Sequence, residues 1–270
     1  MTSAIASNCL SAPANTRKRS YLQSANQIYS TSKFINMNTS IKTALAAIGL
    51  VFTFACQKEN INRQLPTHDF DATDAVAGKY ASVRIGTQRW MTKNLDVNHY
   101  RNGDHIPQVR RKADWDTLTT GAWCWFNNDS VTGAVYGKLY NWYAVNDPRG
   151  LAPTGWHVPS DAEWDTLSTH LGTNAGGKLK DTGTLEAGTG LWYKPNKGAT
   201  NKTGFTALPG GFRGSNGTFF NIWSYGAWWS SSEFSTNNAW YVSLSYYSGD
   251  ISKFVTDELR EGQSVRCLRD

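Results

Sequence analysis

Residues 153–164 read PTGWHVPSDAEW, and the second half of that stretch marks where a helix must begin. Ser160, with Glu163 three residues on, forms a capping box. The serine hydroxyl takes an orphan N–H of the first turn and the glutamate returns to the serine N–H. Asp161 adds negative charge at the positive end of the helix dipole. Trp164, Leu167 and Leu171 then fall on one face at helical spacing, and Gly172 stands where a helix closes. Upstream, Tyr136, Leu139, Tyr140 and Tyr143 follow i, i+3, i+4, i+7 and predict a first helix over residues 136–144.

Outward from these two helices the pattern is that of short strands. VRIGTQRW (residues 83–90) reads as a hairpin turning at Gly86 and Thr87, its second strand running on to Leu95. Residues 101–122 are polar, with Gly103, Pro107 and Gly121, and read as loop. The aromatic run at residues 122–126 precedes a turn-forming NNDS at 127–130. Residues 173–203 are rich in Gly, Thr, Asn and Lys and read as a long surface loop. Farther on, Trp240, Val242, Leu244 and Tyr246 alternate onto one strand face, and residues 263–269 form a last strand with Val265 and Cys267 inward. ADWDTL at 113–118 nearly repeats AEWDTL at 162–167. The similarity stops there and the first copy lacks the capping box, so it is read as coincidence. Two helices among short, mostly antiparallel strands predict an α+β fold.

The chain has 270 residues, 18% charged and 40% hydrophobic, which argues against disorder overall. Its unusual feature is 12 Trp, 12 Tyr and 11 Phe. A net charge of +6 raises the question of nucleic acid, but the charge is unevenly placed. Arg17, Lys18, Arg19, Lys33 and Lys42 precede Cys56, leaving 22 of the 27 Lys and Arg to meet all 21 Asp and Glu. A near-neutral domain carries no footprint for a phosphate backbone, so a nucleic-acid partner is excluded.

The early charges belong to an export signal. Residues 37–42 (MNTSIK) are a positive n-region, and TALAAIGLVFTFA (residues 43–55) supplies an apolar stretch too short to span a bilayer. The expectation is that Met37 is the start and residues 1–36 a non-native or disordered leader. Thr53-Phe-Ala-Cys56 resembles a bacterial lipobox, with Thr53 where Leu is usual, and this implies lipidation of Cys56; an ordinary signal peptide is the alternative. QKEN at 57–60 resembles an outer-surface export tag. An acyl anchor contributes about 0.8 kcal/mol per buried CH₂, enough to hold a domain at a membrane. Residues 56–79 are then lipidated cysteine and tether, and residues 80–270 the folded domain. The expected location is the outer membrane, facing the cell surface, with the periplasmic face or secretion as alternatives.

Of four cysteines, Cys124 and Cys267 fall in the folded part. Oxidising conditions outside the cytoplasm favour a disulfide between them, which would stabilise by about 5 kcal/mol in the chain-entropy model. Two buried free thiols are the alternative. Neither cysteine has metal-ligand spacing, and no metal or other cofactor is expected.

Several motifs in fixed order carry a resemblance: VRIGTQRWMTKNL, CWFNND, YGKLYNWYAV, PTGWHVPSDAEW, GFTALPGGFRG, WWSSSE and SVRCLRD. Together they resemble the Fibrobacter succinogenes major paralogous domain family over about residues 80–270. HVPSDAEW is also similar to a helix start of the formylglycine-generating enzyme superfamily. The resemblance implies a C-type-lectin-like fold in an exported, lipid-anchored protein, without an assigned biochemical function.

Three classes of function follow. An enzyme of the formylglycine-generating type would need two closely spaced cysteines, which Cys124 and Cys267 are not. His157 could pair with Asp161 or Glu163, but no G-x-S-x-G, H-E-x-x-H or phosphate loop is present, and no catalytic residue is assigned. The favoured class is a lectin-like binding module for a glycan or an envelope protein. Its candidate residues are Arg213, Trp228, Trp229, Glu233, Asn238 and Trp240, where flat aromatic faces stand beside groups able to bond hydroxyls. Strand alternation would send one of Trp228 and Trp229 outward. The third class is a structural or adhesive envelope component with no small ligand.

Overall fold

The computed structural model describes residues 80–270. The leader, the signal segment, Cys56 and the tether lie outside the described residues.

Strand β1 (Ser82–Ile85) and strand β2 (Gln88–Met91) form the expected hairpin, in register Val83↔Trp90 and Ile85↔Gln88, turning at Gly86 with φ +62°. A four-stranded antiparallel sheet continues from it, in the order β1-β2-β11-β5, with β5 at Trp156–His157 and β11 at Leu268–Arg269. Met91 N donates to Cys267 O at 3.0 Å and Leu95 N to Val265 O at 2.8 Å, so the two ends of the described region are laced together. A second sheet runs β10-β9-β8-β6-β7: β6 (Gly210–Arg213), β7 (Phe219–Ile222), β8 (Tyr225–Ser235), β9 (Asn238–Ser245) and β10 (Ser252–Thr256). Only β6 and β8 pair parallel within it. A two-stranded pair, β3 (Trp123–Cys124) and β4 (Leu139–Tyr140), completes the strands.

Among the described residues the helices are α1 (Lys112–Asp116), α2 (Ser130–Tyr136), α3 (Trp142–Val145), α4 (Asp161–Leu171) and α5 (Ala175–Leu179). Helix α4 is the one its sequence announces: Glu163 N donates to Ser160 Oγ at 3.3 Å and Ser160 N to Glu163 Oε2 at 2.8 Å. Trp164 and Leu167 are buried, and Gly172 ends the helix at φ +63°. None of these helices is long and apolar enough to cross a membrane.

The helix expected over 136–144 does not form. Asp129 caps α2 and Tyr136 ends it, because Gly137 adopts φ +77°. A Cβ there would come within 3.1 Å of Leu95 O, so the chain turns where only glycine fits. Leu139 and Tyr140 then pair as strand, and Asn141 caps α3 by accepting from Ala144 N. Of the periodic residues Tyr136, Leu139 and Tyr140 are buried and Tyr143 is half-buried, and they fall on three different elements. The stretch 101–122 is not all loop either: α1 buries Trp115, so both copies of the ADWDTL echo are helical. Nor is 173–203 a free surface loop, since Leu179, Lys180 and Trp192 are buried in it.

Three hydrophobic clusters make the core. The first gathers Trp123, Tyr140, Trp142, Trp156, Trp229, Val265 and Cys267. The second holds Trp90, Trp164, Trp192, Phe205, Trp228, Val242 and Leu244. The third centres on Trp115, Cys124, Phe126, Tyr136 and Ile222. Strand β8 lies between the first two, so neither of its faces is open at its centre.

The disulfide expected between Cys124 and Cys267 is corrected by the structure. Both are free thiols, fully buried and packed in separate clusters. Burial pushes the Cys124 thiol up to about 12 and that of Cys267 higher still, against the lowering influence of Arg213 and Arg266 respectively.

Candidate functional site

The fold divides the six candidate residues into two groups. Arg213, Trp228 and Trp229 belong to the core and are withdrawn as ligand contacts. The Arg213 guanidinium donates to Gly217 O at 3.1 Å, Val109 O at 2.7 Å and Arg110 O at 2.9 Å, and lies 4.3 Å from the Trp115 ring centre. Its partners are carbonyls and ring faces, with no carboxylate among them. Trp228 and Trp229 are 1% and 0% exposed. Alternation does send them to opposite faces, but each face is covered by its own cluster. Trp228 Nε1 donates to Asn94 Oδ1 at 2.9 Å and Trp229 Nε1 to Tyr140 O at 2.8 Å, which satisfies the single polar atom of each ring.

Glu233, Asn238 and Trp240 lie at the far end of the β8–β9 hairpin, Asn238 and Trp240 on one face and Glu233, opposite Ala239, on the other. The ladder there is irregular, with register shifts on either side of Glu233, and Asn237 turns the chain at φ +69°. Such bulges re-aim side chains at a sheet rim. Phe234, 59% exposed, meets the half-buried Trp240 edge-on, at 5.2 Å between ring centres and 89° between planes. The Trp240 face toward helix α4 carries Lys253 Nζ at 5.0 Å from the ring centre. Lys253 is itself fixed by Asp161 at 2.9 Å and Asp165 at 2.8 Å. Partial burial opposes the lysine charge, yet those two carboxylates hold its pKa above the ordinary value. Asp161 N donates in turn to Ser232 Oγ at 3.0 Å, so the start of α4 props the base of the hairpin.

Polar groups stand on both faces of the hairpin end, Glu233 on the face away from Trp240 and Asn238 on the Trp240 face. Asn146 Nδ2 donates to Glu233 Oε1 at 3.2 Å and Asn238 Nδ2 to Ser235 Oγ at 2.8 Å. On the other face of the sheet Tyr241 stacks on Phe254 at 5.4 Å, and Phe254 and Val255 stand exposed on the edge strand β10. The sequence reading missed Phe234, whose signal was its position one residue past Glu233 in a hairpin tip, and Phe254, which no motif marks.

A second polar constellation surrounds His157. Its Nε2 contacts Glu163 Oε1 at 2.9 Å and its Nδ1 contacts Asp270 Oδ1 at 2.7 Å. The first of the two partners expected for it, Asp161, is engaged by Lys253 instead. Ser160 Oγ donates to Glu163 Oε2 at 2.8 Å, not to the imidazole. Both ring nitrogens are therefore taken by carboxylates, and the nearby Ser160 hydroxyl is not presented to the imidazole. Burial works against the imidazolium, but Asp270 and Glu163 outweigh it and hold the pKa above the ordinary histidine value. The arrangement ties helix α4 to strand β11.

The match with known proteins agrees with the order of motifs in the chain. The family described as Fibrobacter succinogenes major domain matches residues 83–269, and the chain belongs to that family. No curated protein and no solved structure matches it.

Proposed function

We propose that this member of the Fibrobacter succinogenes major domain family is a non-catalytic binding module, with a C-type-lectin-like fold, exported and lipid-anchored through Cys56 at the outer membrane. Its ligand is carbohydrate, taken at the end of the β8–β9 hairpin. The observation that carries this reading is the corner formed by Phe234 and Trp240, with Asn238 on the same face of its strand as Trp240 and bonded to Ser235. Apolar ring faces beside an amide and a hydroxyl suit the apolar faces and hydroxyls of a sugar. The lacing of β2 to β11 and the short capped helices support the lectin-like reading of the fold. The double engagement of His157 and the separate burial of the two thiols support a role without catalysis.

A second reading, a protein partner in the envelope, is favoured by Phe254 and Val255 on the open edge of β10. The test is titration of soluble Cys56→Ser protein with a panel of polysaccharides. Saturable binding that is lost in Trp240→Ala and Phe234→Ala is expected. Silence across the panel from folded protein overturns the carbohydrate reading and moves the weight to a protein contact. The same Cys56→Ser change should shift the protein from membranes to the soluble fraction; continued sedimentation with membranes refutes the anchor.

A further inference from the structure

Away from the hairpin tip, residues 98–106 form a small hairpin of their own. Ile106 N donates to Asn98 O at 2.9 Å and Tyr100 N to Asp104 O at 2.8 Å. These bonds flank the bridge between His99 and His105, which makes the two histidines a directly opposed, non-hydrogen-bonded pair. In such a pair the Cα atoms are closest and both side chains rise on the same face. Alternation accounts for the result: Tyr100 and Ile106 point inward and are buried, at 3% and 0% exposure, while His99 and His105 are exposed. The two imidazoles meet edge to face with ring centres 5.3 Å apart.

Two further features prepare this pair. The hairpin is pinned to the domain, because Arg101 Nε donates to Ala152 O at 3.0 Å and Arg101 Nη2 to Trp156 O at 2.8 Å. The turn is closed by Gly103 N donating to Tyr100 O at 2.9 Å, with Gly103 at φ +94°. His99 is also oriented: its Nδ1 lies 2.8 Å from Asn98 Oδ1, which can only accept. Donation from Nδ1 to that oxygen leaves the lone pair on Nε2. A hydrogen bond from one ring nitrogen to a carbonyl oxygen is the support that metal-binding histidines use.

We propose that His99 and His105 form a surface site for a divalent transition metal that prefers nitrogen ligands, with Asn98 as the positioning residue for His99. Both rings turn about their exposed χ angles to bring two nitrogens to one ion at about 2.0–2.1 Å, and water fills the remaining positions. Among the described residues no group of three or more His, Cys, Asp and Glu is placed to hold a metal, so the site is a two-histidine clamp and not a closed cage. Hard, oxygen-preferring Mg²⁺ is not a ligand for it.

The test is calorimetric titration of the full chain with Ni²⁺, and with Mg²⁺ as the contrast. The expected result is an Ni²⁺ equivalent lost in both His99→Gln and His105→Gln, with affinity falling at least about tenfold in each. Asn98→Ala, which removes no ligand, should weaken binding by about tenfold as well. His157→Gln and His170→Gln should leave the titration unchanged. Thermal melts in chelator confirm that each variant is folded. The proposal is overturned if either His99→Gln or His105→Gln binds Ni²⁺ like the unaltered chain, or if Mg²⁺ competes at equal concentration. An unchanged Asn98→Ala removes Asn98 from the site.

Discussion

Replacing Trp228 and Trp240 one at a time by alanine separates the core from the proposed recognition face. Trp228 is 1% exposed and packs among Trp90, Phe205, Val242 and Leu244. Its indole N–H bonds Asn94 Oδ1, but that oxygen also accepts from Arg266 Nε at 3.1 Å and Nη2 at 2.8 Å. Removing the ring therefore orphans no acceptor, and the loss is one of packing and cavity, about 3–5 kcal/mol. For a domain of this size each kcal/mol moves the midpoint by about 2–4 °C, giving roughly 6–20 °C in Tm. Trp240 loses only an edge-on contact with Phe234 and a cation over its face, about 1–2 kcal/mol together. Thermal melting by circular dichroism reads the two shifts, and polysaccharide binding measured well below both midpoints reads function. Trp228→Ala should be strongly destabilised yet bind, whereas Trp240→Ala should melt close to the unaltered protein and fail to bind. Equal Tm shifts, or lost binding in Trp228→Ala with retained binding in Trp240→Ala, would refute the division.

Two further outcomes are expected. Cys124 and Cys267 should resist alkylation in the native protein and both react once it is unfolded, read by peptide mass; a native disulfide-linked peptide pair would contradict the packing. The His157 tie should give a pH-dependent stability whose sign follows from its shifts. His157 is held above 6.5, so its contribution is full below 6.5 and is lost as pH rises through the folded value. Glu163 is held below 4.5, chiefly against burial by the Ser160 N–H and hydroxyl, so its contribution is present above 4.5 and is lost as pH falls through the folded value. Urea unfolding of His157→Gln against the unaltered chain, from about pH 5 to 9, should show a gap that narrows on the alkaline side; a gap constant with pH would dismiss the tie.

What the sequence made legible was whatever local rules alone decide. The capping box of α4 and the Gly86–Thr87 turn are such features, and both stand where the residues place them. The helix over 136–144 failed because a 3.6-residue period records only that side chains turn inward, as Tyr136, Leu139 and Tyr140 do. It does not record that Gly137 breaks the chain between them. The candidate site failed in part for a related reason. Alternation correctly separates Trp228 from Trp229, but whether the second face of β8 meets water depends on residues as distant as Tyr140, Trp156 and Val265. Glu233 stays exposed and Asn238 and Trp240 half-buried, because their side chains belong to neither cluster. The His99–His105 pair was illegible, since the five residues between them, with one glycine, announce a turn but not the register that sets two rings opposite each other.

The aromatic excess and the basic residues have a common use inside the molecule. Short strands and long connections leave many carbonyls turned inward without ladder partners, and an unpaired buried carbonyl is costly. Three buried cations each satisfy several of them. Lys180 Nζ donates to Lys197 O, Ser245 O and Ser248 O at 2.9, 2.8 and 2.8 Å. Arg266 reaches Met91 O at 3.2 Å and Phe205 O at 2.5 Å, and Arg213 its three carbonyls. Burial pushes the Lys180 and Arg266 pKa values down from their ordinary ranges, and ring faces meet the cations where carboxylates would otherwise be expected. Trp192 lies 5.3 Å from Lys180, Phe205 4.4 Å from Arg266, and Trp115 4.3 Å from Arg213. A tryptophan beside an arginine in this chain is thus first a solution to its own backbone. Recognition has to be sought among the side chains that the carbonyl cages and the three clusters leave outside, among them the β8–β9 tip, the β10 edge and the paired histidines.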